Sequence, residues 1–464
     1  MSTDPLLEEL AAIVGDARIA IAPDLNLDEL HDEALGVVPG SPHCVVHPTT
    51  TEEVRGIVRT CALRGVAVVA RGSGTGLSGG ATALDGCVLV AFSRMNAVLE
   101  IDTNNHTATV QPGVTLRELA TALEGTGLHY PIHPGELSGS IGGNVSTNAG
   151  GMRAVRDGVT RHHILGLEVV LADGSSLRTG GKVTKSATGY DLTQLIVGSQ
   201  GTLALVTEIT LKLSVAPRHA ATLLAPFADL ASITDAIPQL IETGLDPAIL
   251  EYLDLLTMAS ITAAAELDLG IPDDISARAL AYLVVVLEDT DEGRVASDVE
   301  AMGNALESRG AMDIFLLPPS AGARLIEARE RAFYVAKANG ATDIIDIVVP
   351  RAAISEFLSQ VAAIASERGA VVAGCGHAGD GNVHLSVFET DDAARHELLT
   401  ALFKTGISLG GQISGEHGIG TAKLAAYEEL TDPTRLDLER RIKEIFDPHS
   451  VFNPHLSPRR RPTS

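Results

Sequence analysis

Positive charge is scarce in this sequence: 34 lysines and arginines face 59 aspartates and glutamates, a net charge of −25 over 464 residues. A field of that sign repels phosphate backbones and anionic lipid, so nucleic acid is excluded as a partner. It does not draw in an anionic small molecule either, so local cations must capture any acid. The one basic run, Arg459-Arg460-Arg461 between prolines, reads as a disordered end. Cysteine is sparse as well. Cys44, Cys61, Cys87 and Cys375 form no CxxC pair and no disulfide framework, which fits a reducing compartment. No run of about eighteen apolar residues is present, so no transmembrane helix is expected. The start, Met1-Ser2-Thr3-Asp4-Pro5, lacks the basic and apolar regions of a signal peptide. The expectation is a cytoplasmic protein. Glycine is what the chain has in excess, with 46 residues, and the length suits two or three domains.

The densest gathering of metal-capable side chains is Gly376-His377-Ala378-Gly379-Asp380-Gly381-Asn382-Val383-His384, joined further on by Gly415-Glu416-His417-Gly418. Imidazole and carboxylate together suit a borderline divalent ion such as zinc, iron or manganese. Two histidines and one carboxylate would leave coordination positions open, which a catalytic metal needs. The alternative is a glycine-rich turn with incidental polar residues, since this His spacing is no standard helix-borne motif.

Over 45–70 the pattern is strand, helix, strand, with Thr51-Glu52-Glu53 opening the helix and Gly65 closing it. The last strand runs into Arg71-Gly72-Ser73-Gly74-Thr75-Gly76-Leu77-Ser78-Gly79-Gly80. A bare dinucleotide fingerprint is present there, but residues 87–92 read as a strand where a helix should open, so a Rossmann site is rejected. A nest of glycine amides wrapping a pyrophosphate is the better reading. A second glycine cluster, 138–151, also lacks helical periodicity over its length. Two such loops suggest a ligand with an extended phosphate and a large planar head. Strands follow at 164–171 and 203–213, and Pro217 marks a boundary. Beyond it, strands at 281–287, 314–317, 344–349, 370–373 and 383–387 alternate with helices near 295–308, 320–338, 352–368, 393–409 and 433–446, an α+β pattern with an antiparallel or mixed sheet. Arg329 projects from the apolar face of the 320–338 helix. It is either internally salt-bridged or a bidentate clamp for a substrate carboxylate; the second is favoured.

Together these segments resemble the FAD-linked oxidases of the vanillyl-alcohol oxidase type, in the branch of glycolate oxidase flavin subunits, D-lactate dehydrogenases and D-2-hydroxyglutarate dehydrogenases. The resemblance spans roughly 40–456 and rests on 71–80, Ser140-Ile141-Gly142-Gly143-Asn144, Thr147-Asn148-Ala149-Gly150-Gly151, Gly189-Tyr190-Asp191-Leu192, 198–203, 376–384, 415–418 and the stretch from Asp447-Pro448 to Asn453-Pro454. It implies an α+β fold: a two-subdomain FAD-binding domain at 41–217, after an N-terminal helical extension at 1–40. A substrate (cap) domain with an antiparallel sheet and the metal site follows at 218–410, and a C-terminal segment at 411–464 returns to the FAD domain.

By the same resemblance, FAD is held noncovalently by Arg71, Gly72, Ser73, Gly74, Thr75, Gly76 and Leu77 at the pyrophosphate. Pro134, Gly135, Ser140, Gly143, Asn144, Thr147, Asn148 and Gly150 would line the pyrophosphate and ring, with Gly158, Thr160 and Ile209 along the adenosine and ribityl part and Asn453 added from the C-terminal segment. His377, His384 and Glu416 would hold a divalent metal, zinc by family; His417 would be the base and Arg329 the carboxylate clamp. The implied reaction is oxidation of a small D-2-hydroxy acid, D-lactate or glycolate, with hydride passing from Cα to flavin. The 2-hydroxyglutarate branch places a hydroxyl residue and a lysine after its clamp; Phe333 and Ile344 stand here instead, which favours a monocarboxylate. Ser386 stands where that branch has Asn, and Gln200 where the family commonly has Glu. A larger 2-hydroxy acid such as D-2-hydroxyglutarate and a non-catalytic flavin subunit of a multisubunit complex are the alternatives. The electron acceptor (quinone, electron-transfer flavoprotein, cytochrome or oxygen) and the oligomeric state, a homodimer being one option, carry no readable motif.

Overall fold

The computed structural model of the chain describes residues 4–457. Residues 1–3 and the Arg459, Arg460 and Arg461 run lie outside the described residues. In the first sheet Cys44–Val46, Val88–Ala91 and Val68–Arg71 lie parallel in that order, with Ile19–Ala20 antiparallel at the edge. Its strands are almost wholly apolar because both faces are covered. Leu10, Val54 and Ile57 from two helices pack on one face, and Leu30 and Ala83 on the other. The crossover helix Thr51–Arg64 starts where Thr50 accepts from the Glu53 amide, and stops at Gly65 in the left-handed region. Behind Arg71 the glycine-rich segment runs as a loop to the next strand, with no helix opening on it.

A five-stranded antiparallel sheet follows, ordered Val98–Asp102, Thr107–Val110, Leu205–Lys212, Ile164–Val170, Ser176–Gly180. Against it sits the second glycine cluster, which corrects the sequence expectation: Ile141–Thr147 is helical. Seven residues are too few to display a periodicity, and the helix is made by its ends. The Ser140 hydroxyl accepts from the Gly143 amide, and Asn148 terminates it at φ 54°.

The third sheet has seven strands, all antiparallel: Phe315–Leu317, His219–Phe227, Ala281–Asp289, Ile249–Asp254, Val372–His377, Asn382–Val387 and Asp343–Val348. The α+β architecture with an antiparallel second sheet system is thus as the sequence implied. The strands His219–Phe227 and Ile249–Asp254 and the helices Leu230–Glu242, Leu255–Ala264 and Gly420–Leu430 were not foreseen. The expected 320–338 helix is two, Pro319–Glu330 and Ala332–Ala338, broken at Arg331. After the helix Pro433–Phe446 the chain returns to the first sheet: the Val68 amide donates to the Val451 carbonyl (2.7 Å) and the Asn453 amide to the Val68 carbonyl (2.9 Å). Among the described residues no helix is long and apolar enough to cross a membrane.

Candidate active site

Two glycine arms close on each other to form a cradle. The Ser73 amide donates to Ser140 Oγ (3.3 Å), and the Ser140 amide donates to Ser73 Oγ (3.0 Å). This contact is why position 72 is glycine: a Cβ there would lie 2.3 Å from Ser140 Oγ. The cavity between the arms is lined by Arg71, Gly72, Ser73, Gly74, Thr75, Gly76, Leu77, Pro134, Ser140, Gly143, Asn144 and Thr147. Asn144 is buried with its Nδ2 unpartnered, a donor waiting for an acceptor. Backbone donors free of Cβ crowding, plus that orphan amide, fit a pyrophosphate-bearing ligand.

The second half of the site is built on strands. Glu251 is register partner of His377, and His384 is register partner of both Cys375 and Asp346. His377 Nε2 and His384 Nε2 face each other at 3.1 Å, and Glu416 Oε1 lies 3.2 Å from His377 Nε2. The remaining edge, His384 Nε2 to Glu416 Oε2, is 3.9 Å. Two imidazole nitrogens pointing at one another have at most one proton to share. A tetrahedral ion with bonds of about 2.05 Å sets its ligands about 3.3 Å apart, so the three groups fit a divalent metal.

Glu416 and His417 arrive on a loop that the sheet grips. Asp346, fully buried, accepts from the Glu416 and His417 amides (3.1 and 2.8 Å) and from Ser414 Oγ (2.7 Å), while Asn382 Nδ2 donates to its other oxygen (2.9 Å). Gly415 is required because a Cβ there would strike Asn382 Nδ2 at 1.6 Å. From the cofactor side the Gly151 amide donates to Glu416 Oε1 (2.6 Å), joining the second glycine arm to the cluster.

Charge is partitioned sharply. Burial opposes a charge on His377, but the carboxylates of Glu251, hydrogen-bonded to its Nδ1, and Glu416 hold its imidazolium well above the ordinary range. Burial, reinforced by His377, pushes His384 well below it. Burial favours a neutral acid at Glu416, yet His377 pulls it down to about 2. Asp346 is likewise held well below the carboxylate range, against its burial, by His417, Lys423 and His384. Burial also lowers His417, so its ring is neutral near pH 7 and able to accept a proton. A metal would need His377 neutral too, and the Glu251 carboxylate would then fix which nitrogen points inward.

A second cavity, of about 380 Å³, is lined by Arg329, His377, His384, Glu416 and His417 together with apolar side chains. Leu77, Pro134, Glu416 and His417 line both cavities, so the cradle and this space meet at the cluster. Arg329 is buried, with Nη2 2.8 Å from Glu251 Oε2, off hydrogen-bond alignment, and Nε unpartnered. Arg329 is thus internally paired, yet keeps donors without a hydrogen-bond partner at the wall of the second cavity.

The other expected cofactor residues are placed differently. Gly135 lines the second cavity, and Asn148 a separate groove beside the helix Pro433–Phe446. Gly150 packs on Glu416, where a Cβ would sit 2.7 Å from Oε1. Gly158, Thr160, Ile209 and Asn453 line neither of the two cavities that meet at Glu416 and His417. Thr160 is tied to the Ala149 carbonyl (2.8 Å), Ile209 is wholly buried among Val110 and Leu167, and Asn453 donates to the Gln200 carbonyl (2.7 Å). Gln200 itself accepts from the Gly420 amide (2.8 Å). Sequence reasoning missed Glu251, Asp346 and Lys423. The first two carry a signal: each is a lone acid inside an apolar strand run, Ile249-Leu250-Glu251-Tyr252-Leu253 and Ile344-Ile345-Asp346-Ile347-Val348.

Residues 42–180 match the family described as FAD binding domain, and residues 216–456 that described as FAD linked oxidases, C-terminal domain. An uncharacterized FAD-linked oxidoreductase of Mycobacterium tuberculosis is 49% identical, covering 95% of this chain and 96% of its own. The glycolate oxidase subunit GlcD of Bacillus subtilis is 37% identical (89% and 88% covered), and a D-lactate dehydrogenase of Anaerostipes hadrus 33% (97% and 97%). Among solved structures, p-cresol methylhydroxylase with substrate bound superposes with a TM-score of 0.79 at 18% identity, over 97% of this chain and 96% of that one, a likeness of fold.

Proposed function

Because the chain belongs to the FAD-linked oxidase family, and is an FAD-linked oxidoreductase, we propose that it oxidises a D-2-hydroxy acid with a single carboxylate to the 2-oxo acid, assisted by a divalent metal. One observation supports this most: the cradle and the second cavity share Glu416 and His417, with His377, His384 and Arg329 on the wall beside them. The free donors of Arg329 take the substrate carboxylate. Glu251 holds that guanidinium and the His377 ring in fixed relation, so carboxylate and hydroxyl are presented together. His417 accepts the hydroxyl proton; its backbone is pinned by Asp346, and its Nδ1 lies 3.9 Å from the same carboxylate, which stabilises the imidazolium formed. A bound divalent ion at His377, His384 and Glu416 would lower the hydroxyl pKa. Bound flavin would supply the two-electron acceptor. The relatives named for glycolate and D-lactate support the substrate class.

The test is anaerobic bleaching of the flavin by a panel of D- and L-2-hydroxy acids, before and after chelation and with metal restored. Bleaching by D-acids that chelation abolishes and metal restores is the expected result. No bleaching by any acid in metal-replete protein would overturn the reading, and bleaching indifferent to verified metal removal would remove the metal from it.

A further inference from the structure

We propose that the acid carries a long, uncharged, apolar side chain, so that lactate and glycolate are poor substrates. The inference rests on the 2-hydroxy-acid reading above and deepens it. The floor of the second cavity is one face of the seven-stranded sheet, and strand periodicity orders it into rows. His384 sits beside Cys375 and Asp346 in the reactive row; two residues along, Ser386 is flanked by Ala373 and Ile344. Two residues further come Phe388 and Val371, joined by the hydrogen bond from the Phe388 amide to the Val371 carbonyl (3.1 Å). At about 3.3 Å per residue, the floor runs roughly 13 Å from His384 to Phe388.

All the chemistry is at one end of that floor. The rest of the wall is mainly aliphatic and aromatic: Ile344, Val371 and Phe388 below, with Leu256, Ile261 and Phe333 from the helices Leu255–Ala264 and Ala332–Ala338 across from them. Among the lining residues Arg329 is the only lysine or arginine, and Glu251 already pairs with it. A second carboxylate on the substrate would find no cation there. Leu256 and Val371 are 57% and 54% exposed, so apolar surface continues from the interior to a mouth in solvent. A volume of about 380 Å³ falls in the roughly 300–1,000 Å³ range of pockets that enclose ligands far larger than a three-carbon acid.

The experiment is stopped-flow flavin reduction by an unbranched D-2-hydroxy acid series from glycolate and lactate to 2-hydroxyoctanoate, with 2-hydroxyglutarate as the charged control. Calorimetric binding of the matching 2-oxo acids gives a readout independent of turnover. Each methylene that enters the cavity is expected to raise kcat/KM and the product's affinity about fourfold, with a heat capacity of binding that grows more negative along the series, and 2-hydroxyglutarate should fall below 2-hydroxyhexanoate. Filling the far rows by Ala336→Trp from the helix side, or Ser386→Phe from the floor, should cut the octanoate-to-lactate ratio at least tenfold. Lactate or glycolate matching the longer acids in both kcat/KM and product affinity would overturn the proposal while leaving hydroxy-acid oxidation standing. Flavin reduced by no acid would overturn both.

Discussion

The two halves of the site reach their ends by opposite means. The cofactor cradle is made largely of main chain: glycines let the 71–80 loop and the start of the helix Ile141–Thr147 approach until serine meets backbone. The reactive half is made of side chains: His377 and His384 on neighbouring strands, Arg329 on a helix, and Glu416 and His417 on a loop that the buried Asp346 pins to the sheet. A large, extended ligand can be held by many unhindered amides, whereas a small reacting group needs a few side chains fixed to within a fraction of an ångström. Main chain suffices for the first task, and a sheet anchors the second.

Breaking each half separately tests that division. The largest effect is expected from His384→Ala: metal stoichiometry falls toward zero and flavin reduction slows about a thousandfold, from the several kcal/mol a metal contributes. The flavin absorbance of the purified variant should be unchanged, and its loss would contradict independent halves. The reverse experiment is Gly72→Ala, whose Cβ would collide with Ser140 Oγ. It should yield protein depleted of flavin that still takes up metal, measured by absorbance against metal analysis.

Glu251→Gln sharpens the comparison, because this residue touches both His377 and Arg329. Metal affinity should drop about 10- to 100-fold and KM for the acid should rise with it, whereas an effect on kcat alone would show that Glu251 does not position either group. The smallest effect concerns Glu330, on the same cavity wall. Burial pushes its carboxyl up from an ordinary 4.5 to about 7. The folded protein therefore holds a proton that the unfolded chain releases, so this residue's contribution to stability is complete below about pH 4.5 and is lost as pH rises through about 7. Glu330→Gln should flatten the fall in melting temperature across that window, and a parallel curve for both proteins would show that the acid does not titrate there.

Sequence alone determined the fold class and the composition of the cluster. Glycine loops announce themselves because few other reasons put so many glycines together, and His377 with His384, and Glu416 with His417, stand as two short glycine-flanked groups of metal-capable residues. The helix Ile141–Thr147 was invisible for want of length, being set by a capping serine and a left-handed Asn148.

Tertiary structure decided what stands behind the cluster. Glu251 and Asp346 come from other strands of the sheet, and register places them against His377 and His384. It also decided that Arg329 is both paired and available, and that the cavity continues past the reactive row into apolar wall. The physical reason is range. Glycine freedom, caps and ligand types act locally and leave a mark on the sequence. Strand register and cavity length are properties of residues brought together from separate segments, and no local pattern encodes them.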